Sequence, residues 1–357
     1  MPDPTLVKQF GAKMLGIYTG AMLTKLIDIG YQIGLFEAST SGPATSEELS
    51  ERAGLNERYV REWLGAMATG GIYTYDAESQ RFELPEEHAV ALTGGGASNL
   101  SPSSRMINHF GSHVPSLVRC FRAGGGIPYS AYRPVFTQCM DDVWRRIFDQ
   151  HLVPSLIGAV PGLPEALQRG IKVLDIGCGT GHAMNLLARA FPASNFTGYD
   201  IADDAITSAD AEARQMGLAN SSFSVADVAR LPDEPKFDLI TAFDAIHDQV
   251  APDAVLRGIS SALAPGGTFL MVDFKFSSNV EENIGNPFAA LHYGISLMHC
   301  MPVSLASGGA GLGTVWGHQT AKRMLAEAGF GSVEILDTPR PQNCSYVCRH
   351  LPHTARL

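Results

Sequence analysis

In Asp175-Ile-Gly-Cys-Gly-Thr-Gly181, three glycines at alternate positions follow an apolar run, Ile171 to Ile176. They precede a helical stretch, His182 to Ala190, that stops at Phe191-Pro192. Strand, glycine turn and helix in that order leave a place where backbone can approach a ligand, and the first amides of the helix favour an anionic group. Asn195-Phe-Thr-Gly-Tyr199 reads as the next strand and closes on Asp200, one strand-helix-strand unit further on. A carboxylate there can accept both hydroxyls of a ribose. Together these residues describe a nucleoside site.

The spacing separates this loop from the commoner nucleotide loops. A dinucleotide fingerprint needs G-x-G-x-x-G, but the glycines fall at 177, 179 and 181 and position 182 is His; a Gly-Lys-Ser or Gly-Lys-Thr opening is also missing. The Asp175 to Gly181 run instead resembles motif I of class I S-adenosylmethionine-dependent methyltransferases, and the resemblance continues through the later strand tips. It implies S-adenosyl-L-methionine as cofactor. It also implies that Asp175 belongs to the cofactor site and that Gly177, Cys178 and Gly179 border the methionyl part, while Gly181 and His182 open the helix whose dipole favours the carboxylate. Asp200 and Ile201 match ribose and adenine contacts. Asp227-Val228, after a strand over Ser222 to Val225, matches the adenine amino contact, and Phe243-Asp244 ends the following strand. Any one of these polar residues alone is ordinary at a strand end. Their succession at the carboxyl ends of consecutive strands carries the resemblance.

A sulfonium methyl is already activated, so methylating a hydroxyl mainly requires alignment and removal of a proton. Ala245-Ile-His-Asp248 resembles the His-Asp step of O-methyltransferases whose histidine is the general base, which makes His247 the candidate; an imidazole titrates near about 6.5. Gln249 stands where that family has Trp. The same histidine can instead cap the next helix or bond a backbone carbonyl. The acceptor pocket is expected from Leu100 to Phe148 and from an insertion over Val280 to Gly317, both rich in apolar residues. Phe288, Leu291, His292, Ile295, Met298 and His299 recur at helical spacing and suggest a lid. His292, Ile295, His299 and Trp316 are the substrate-contact candidates, for a hydrophobic or aromatic small molecule. Gly308 to Gly313 reads as a mobile loop over that pocket. His109 and His113 are one helical turn apart but lack a third ligand, and no metal is expected.

The elements that must position these residues are legible around them. A helix stripe at Val255, Leu256, Ile259 and Leu263, a turn over Leu263 to Gly267 and an apolar strand over Thr268 to Val272 continue the α/β alternation. A helix from His318 to Ala328 and a hairpin of Val333 to Asp337 with Cys344 to Cys348 complete a Rossmann-like, seven-stranded methyltransferase sheet. Upstream, Ala21 to Leu35 reads as a helix with Leu23, Leu26, Ile27, Gly30 and Ile33 on a buried stripe. Thr45-Ser-Glu-Glu48 is a capping box for a second helix ending at Gly54. Asn56 caps a third, with Tyr59, Val60, Trp63, Leu64 and Met67 inward, and Ile72 to Tyr75 with Arg81 to Leu84 form a hairpin. Three helices and a hairpin make a winged helix.

Charge argues against DNA as its partner. Ala21 to Thr93 holds five basic against twelve acidic residues, a net of −7, and the whole 357-residue chain carries −10. The domain resembles the N-terminal pairing domains of small-molecule O-methyltransferases, which implies a homodimer, with Leu6 to Thr19 part of that arrangement. The expected organisation is a mainly helical winged-helix domain over 1–94, a helical linker and substrate cap over 95–160, and a methyltransferase domain over 161–357 with a lid insertion at 280–317. Six scattered cysteines, no charged-then-apolar start and no long apolar run point to a cytoplasmic protein that does not enter membranes. Two other readings stay open. One is a regulator responsive to S-adenosylmethionine; the other is a cofactor-binding protein that has lost methyl transfer.

Overall fold

The structure, a computed structural model, describes residues 1–231 and 237–351. The chain divides into two compact units, Met1–Gly111 and Ser112–Leu357.

The first unit begins with α1 (Pro4–Gln32), capped by Asp3, whose side chain accepts from the Thr5 amide. Leu6 to Thr19 and the helix expected from Ala21 are thus parts of one 29-residue helix. Gly34, at φ 73°, ends that run and starts the short α2 (Leu35–Ser39), so Ile33 leaves the expected stripe and is exposed. α3 (Ser46–Ala53) carries the predicted capping box: Glu48 N–H donates to Thr45 Oγ1 while Glu48 Oε2 accepts from Thr45 N–H. α4 (Glu57–Thr69) buries Val60, Trp63, Leu64 and Met67, whereas Tyr59, expected inward, lies one position off that stripe and is 80% exposed. Trp63 is the centre of this core. It packs edge-on against Phe36 and Tyr73 and donates Nε1–H to Leu26 O at 2.8 Å. The hairpin of β1 (Thr74–Asp76) and β2 (Arg81–Glu83), α5 (Glu86–Leu92) and α6 (Ser101–Gly111) complete the unit. Buried Asp28 of α1 accepts from Gln32 and from Asn108 of α6.

The second unit opens with α7 (Val114–Ala123), α8 (Val135–His151) and α9 (Leu163–Arg169). β3 (Lys172–Ile176), α10 (His182–Ala190), β4 (Asn195–Asp200), α11 (Asp203–Gln215), β5 (Ser221–Val225) and β6 (Phe237–Phe243) follow in alternation. Then come α12 (Pro252–Ala262), β7 (Leu263–Phe274), α13 (Val280–Asn283), α14 (Ala289–Ile295) and a π-helical turn, Ser296–Cys300. α15 (Met301–Ala306), α16 (Gly317–Glu327), β8 (Ser332–Asp337) and β9 (Asn343–Arg349) close the unit. The strands form one seven-stranded sheet in the order β5-β4-β3-β6-β7-β9-β8. β9 is antiparallel to both its neighbours, and the pairings from β5 to β7 are parallel.

The central strands are mainly apolar because helices cover both faces, so Leu174, Ile176, Ile240, Phe269 and Met271 are fully buried. The turn expected at Leu263 to Gly267 lies inside β7: Leu263 already pairs with Phe237, and the register shifts before Leu239 meets Thr268. Gly266, at φ 79°, supplies the left-handed residue that this bulge needs. Among the described residues no helix is long and apolar enough to cross a membrane.

Candidate active site

The carboxyl ends of β3, β4, β5 and β6 meet α8 around a cavity of about 580 Å³. The topology dictates the place. The strand order reverses between β3 and β6, and the loops leaving them diverge there to leave a crevice.

Gly179 N–H donates to Asp200 Oδ2 at 2.8 Å, while Asp200 Oδ1 accepts from Ala202 N–H at 2.8 Å. The glycine loop is thereby tied to the tip of the neighbouring strand. Burial pushes Asp200 above the ordinary carboxylate range, against the pull of these amides. A side chain added at Gly179, whose φ is 53°, would point into open space, as a surface prepared for a ligand requires. Gly181 differs from the expectation. It is not on the cavity wall, and a Cβ there would meet Ala209 at 2.5 Å and Phe223 at 2.6 Å; its smallness serves helix-strand packing. The other eleven expected cofactor residues, Asp175, Gly177, Cys178, Gly179, His182, Asp200, Ile201, Asp227, Val228, Phe243 and Asp244, line the cavity.

Three of the acids are shaped by their surroundings. Asp175 is fully buried and pushed up to about 7 by that burial, although Thr241 Oγ1 donates to it at 2.6 Å. Asp227 caps the turn that follows it, accepting from Ala229 N–H at 3.0 Å. Asp244 has a left-handed backbone, φ 56°, accepts from Trp144 Nε1–H at 3.3 Å and is pushed up to about 7, burial being the main cause.

α8 supplies residues that the sequence did not single out. Thr180 donates its hydroxyl to Asp141, and Arg145 pairs with Asp141 at 3.0 Å and with Glu212 at 2.5 Å. His182 stands between Glu212 (Nδ1, 2.9 Å) and Asp149 (Nε2, 3.0 Å). Burial opposes the charge of Glu212, yet hydrogen bonds from His182, Asn185 and Arg145 hold it down at about 2. Phe136, Met140, Trp144 and Phe148 face the cavity from the same helix. Their spacing of four is the signal that was available.

His247 is not on the cavity wall. It is 1% exposed, with Nδ1 at 3.0 and 3.1 Å from the two Asp273 oxygens and Nε2 at 3.4 Å from Asp248 Oδ1. Burial opposes its protonation, but Asp273 and then Asp248 hold it well above the ordinary histidine value. Ala245, Asp248 and Gln249 line the cavity around this step.

None of the four substrate-contact candidates lines the cavity. His292 is buried against Phe274 and Phe276; His299 stacks on Phe136, behind the wall; Trp316 donates Nε1–H to buried Asp273. Ile295 ends α14. From the insertion, Val303 and Ser307 reach the cavity. The Gly308 to Gly313 loop, expected over the pocket, does not line it. Gly309 donates to Ser304 O and Ala310 to Val250 O, both at 3.0 Å, which holds the loop against α15 and the segment after β6.

Residues 167–329 match the family model for the methyltransferase domain, and residues 21–94 match the Rv2258c-like winged helix-turn-helix domain. The fatty-acid O-methyltransferase of Mycolicibacterium smegmatis is 32% identical over 114 residues, covering 32% of this chain and 40% of that protein. The trans-aconitate 2-methyltransferase of Variovorax paradoxus is 34% identical over 143 residues, 39% of this chain and 50% of that one. The chain thus spans half or less of the length of these curated relatives. Solved structures extend the likeness of fold to nearly the whole chain. A chain of the O-methyltransferase type from Nostoc punctiforme has a TM-score of 0.74 at 20% identity, covering 98% of this chain and 99% of that one. Human N-acetylserotonin methyltransferase in complex with S-adenosylmethionine has a TM-score of 0.69 at 16% identity, covering 95% and 97%. Sheet order, glycine loop and matched domains agree: residues 167–329 are a methyltransferase domain of the class I, S-adenosylmethionine-dependent type, preceded by a winged-helix domain over residues 21–94.

Proposed function

We propose that this cavity binds S-adenosyl-L-methionine and that the chain transfers its methyl group to a small, neutral, hydrophobic or aromatic acceptor, most readily a hydroxyl. The observation that carries the reading is the chemistry of the wall. Six aspartates line the cavity against Arg145 and His182 on the basic side. Burial raises Asp175, Asp200 and Asp244 and so weakens part of that negative charge, yet carboxyl groups outnumber the two basic side chains, and the wall favours a ligand carrying sulfonium and ammonium charges over an anionic acceptor. The curated relatives named above are a fatty-acid and a trans-aconitate methyltransferase, which suggests carboxylates; the acid lining argues for a neutral acceptor here. Tyr129, Phe136, Trp144 and Phe148 offer it an aromatic surface.

The fit to the cofactor rests on the open face at Gly179, the Asp200 carboxylate for the ribose, and Asp227 with Val228 for the adenine. The first backbone amides of α10, which His182 opens, would meet the methionyl carboxylate. When bound, the cofactor supplies an activated methyl. The chain's own task is alignment and removal of the acceptor proton. His247 acts in this through Asp248, whose carboxylate faces the cavity while the imidazole and Asp273 stand behind it.

The winged helix serves pairing rather than DNA. Arg58 and Arg61 on α4 are paired with Glu62 and Glu57, Arg81 with Glu48, and Arg52 donates to Gly42 O, which leaves little free positive charge on that face. α1 carries exposed Leu6, Val7, Phe10, Leu15, Ile17 and Tyr18, apolar surface that a second copy would cover.

Calorimetric titration with S-adenosylmethionine and its demethylated product, then a labelled-methyl screen of phenols against carboxylic acids, tests the proposal. Binding of both and transfer to phenols are expected. A folded protein that binds neither ligand would overturn it.

A further inference from the structure

We propose that Asp141 of α8 is the carboxylate that holds the α-ammonium group of the cofactor. This role rests on the proposed function and completes it: ribose, adenine and methionyl carboxylate have partners there, and the ammonium has none. The ammonium shares one carbon atom with that carboxylate, so its acceptor must stand beside the first turn of α10. Asp141 is tied to that place. Thr180, between Gly179 and Gly181, donates its hydroxyl to Asp141 Oδ1, and Asp141, Thr180 and His182 all line the cavity.

The other five aspartates of the wall have other tasks. Asp200 accepts from the Gly179 and Ala202 amides and stands where the ribose is assigned, and Asp227 caps the turn beside Val228 at the adenine end. Asp248 adjoins His247, the histidine assigned to proton removal. Asp175 is 2% exposed, accepts from Thr241, and burial keeps its carboxyl protonated up to about 7. Asp244 accepts from Trp144 and is likewise pushed up to about 7, mainly by burial. A protonated carboxyl lacks the charge that an ammonium group seeks.

The surroundings of Asp141 suit the task. Arg145, one turn along α8, grips it with two bonds, Nε to Oδ2 at 3.1 Å and Nη2 to Oδ1 at 3.0 Å, which fixes the plane of the carboxylate. With the Thr180 bond, three of about four lone-pair positions are taken, and Oδ2 can accept one more donor. Arg145 also pairs with Glu212 at 2.5 Å, so one guanidinium is shared between two carboxylates and does not cancel Asp141 alone. Asp141 lies on the cavity-facing side of α8 with Trp144 and Phe148. An ammonium seated there sets the aromatic wall against the glycine loop. The amino-acid end of the ligand then distinguishes the cofactor from nucleosides that lack it.

Calorimetry on the full chain with two probes separates this role from a structural one: S-adenosylhomocysteine, which has the amino-acid end, and 5′-methylthioadenosine, which lacks it. Asp141→Asn keeps an acceptor for Thr180 but removes the charge. Affinity for S-adenosylhomocysteine should fall about 10-fold to 100-fold, while affinity for 5′-methylthioadenosine stays within about twofold. Asp141→Ser is measured beside it and is expected to show the same split, and circular dichroism checks that each variant is folded. Equal affinity of parent and variants for S-adenosylhomocysteine, or an equal loss for both probes, overturns the role of Asp141 and leaves the proposed function standing. A folded parent that binds neither probe overturns both.

Discussion

Gly179 and Asp200 are joined by a 2.8 Å hydrogen bond from the glycine amide to the aspartate Oδ2, so one contact sets both the shape of the loop and the carboxylate proposed to accept from the ribose. Asp200→Ala removes the acceptor and frees the loop at once. A hydrogen bond to a charged group is worth about 1.5–3 kcal/mol. Affinity for the demethylated cofactor should therefore fall about 10-fold to 100-fold by calorimetry. An unchanged dissociation constant would remove Asp200 from the cofactor site.

His247 should matter to turnover and not to cofactor affinity, because it stands behind Asp248 and away from the cavity wall. His247→Ala is expected to lower the single-turnover rate on a phenolic acceptor by about two orders of magnitude, with cofactor affinity nearly unchanged. Asp248→Asn should follow it. Equal rates in the parent and His247→Ala would end the role assigned to the histidine.

What was legible in the sequence was local. The strand, glycine turn and helix from Lys172 to Ala190, and the capping box at Thr45, are written in adjacent residues, and the structure has them. Tyr59 was misplaced because a step of four from Tyr59 to Trp63 imitates the stripe that really runs through Val60, Leu64 and Met67. The burial of His247 could not be read, since it depends on Asp273, 26 residues on, and on Trp316 beyond that. The same holds for Arg145, which meets Glu212 from 67 residues away. An amphipathic stretch such as Phe136 to Phe148 has the same pattern whether it faces a core or a cavity.

Asp175 gives a pH dependence of definite sign. Its carboxyl is pushed from 3.8 to about 7 in the folded chain, so between those values the folded state holds a proton that the unfolded state has released. Stability from this group is then lost as pH rises through that window and is constant above it. Asp175→Asn keeps an acceptor for Thr241 and cannot titrate. Urea unfolding at about pH 5 and about pH 8 should show the variant gaining on the parent at the higher pH. A difference that stays flat would mean that the carboxyl does not titrate in this range.

α1 offers the clearest test of pairing. A helix with apolar side chains on all sides is normally covered, yet only Asp28 and Gly30 of its 29 residues are buried, and Leu6 and Phe10 are each 62% exposed. In an isolated subunit, exposed positions of this kind tolerate change within about 0.5 kcal/mol. Leu6→Glu with Phe10→Glu should therefore leave the circular dichroism spectrum intact. In a pair, the same two charges would be carried into an apolar contact without partners, which is strongly unfavourable. Sedimentation velocity should show the parent as a dimer and the double variant as a monomer. A parent that sediments as a monomer at all accessible concentrations would take the dimer away.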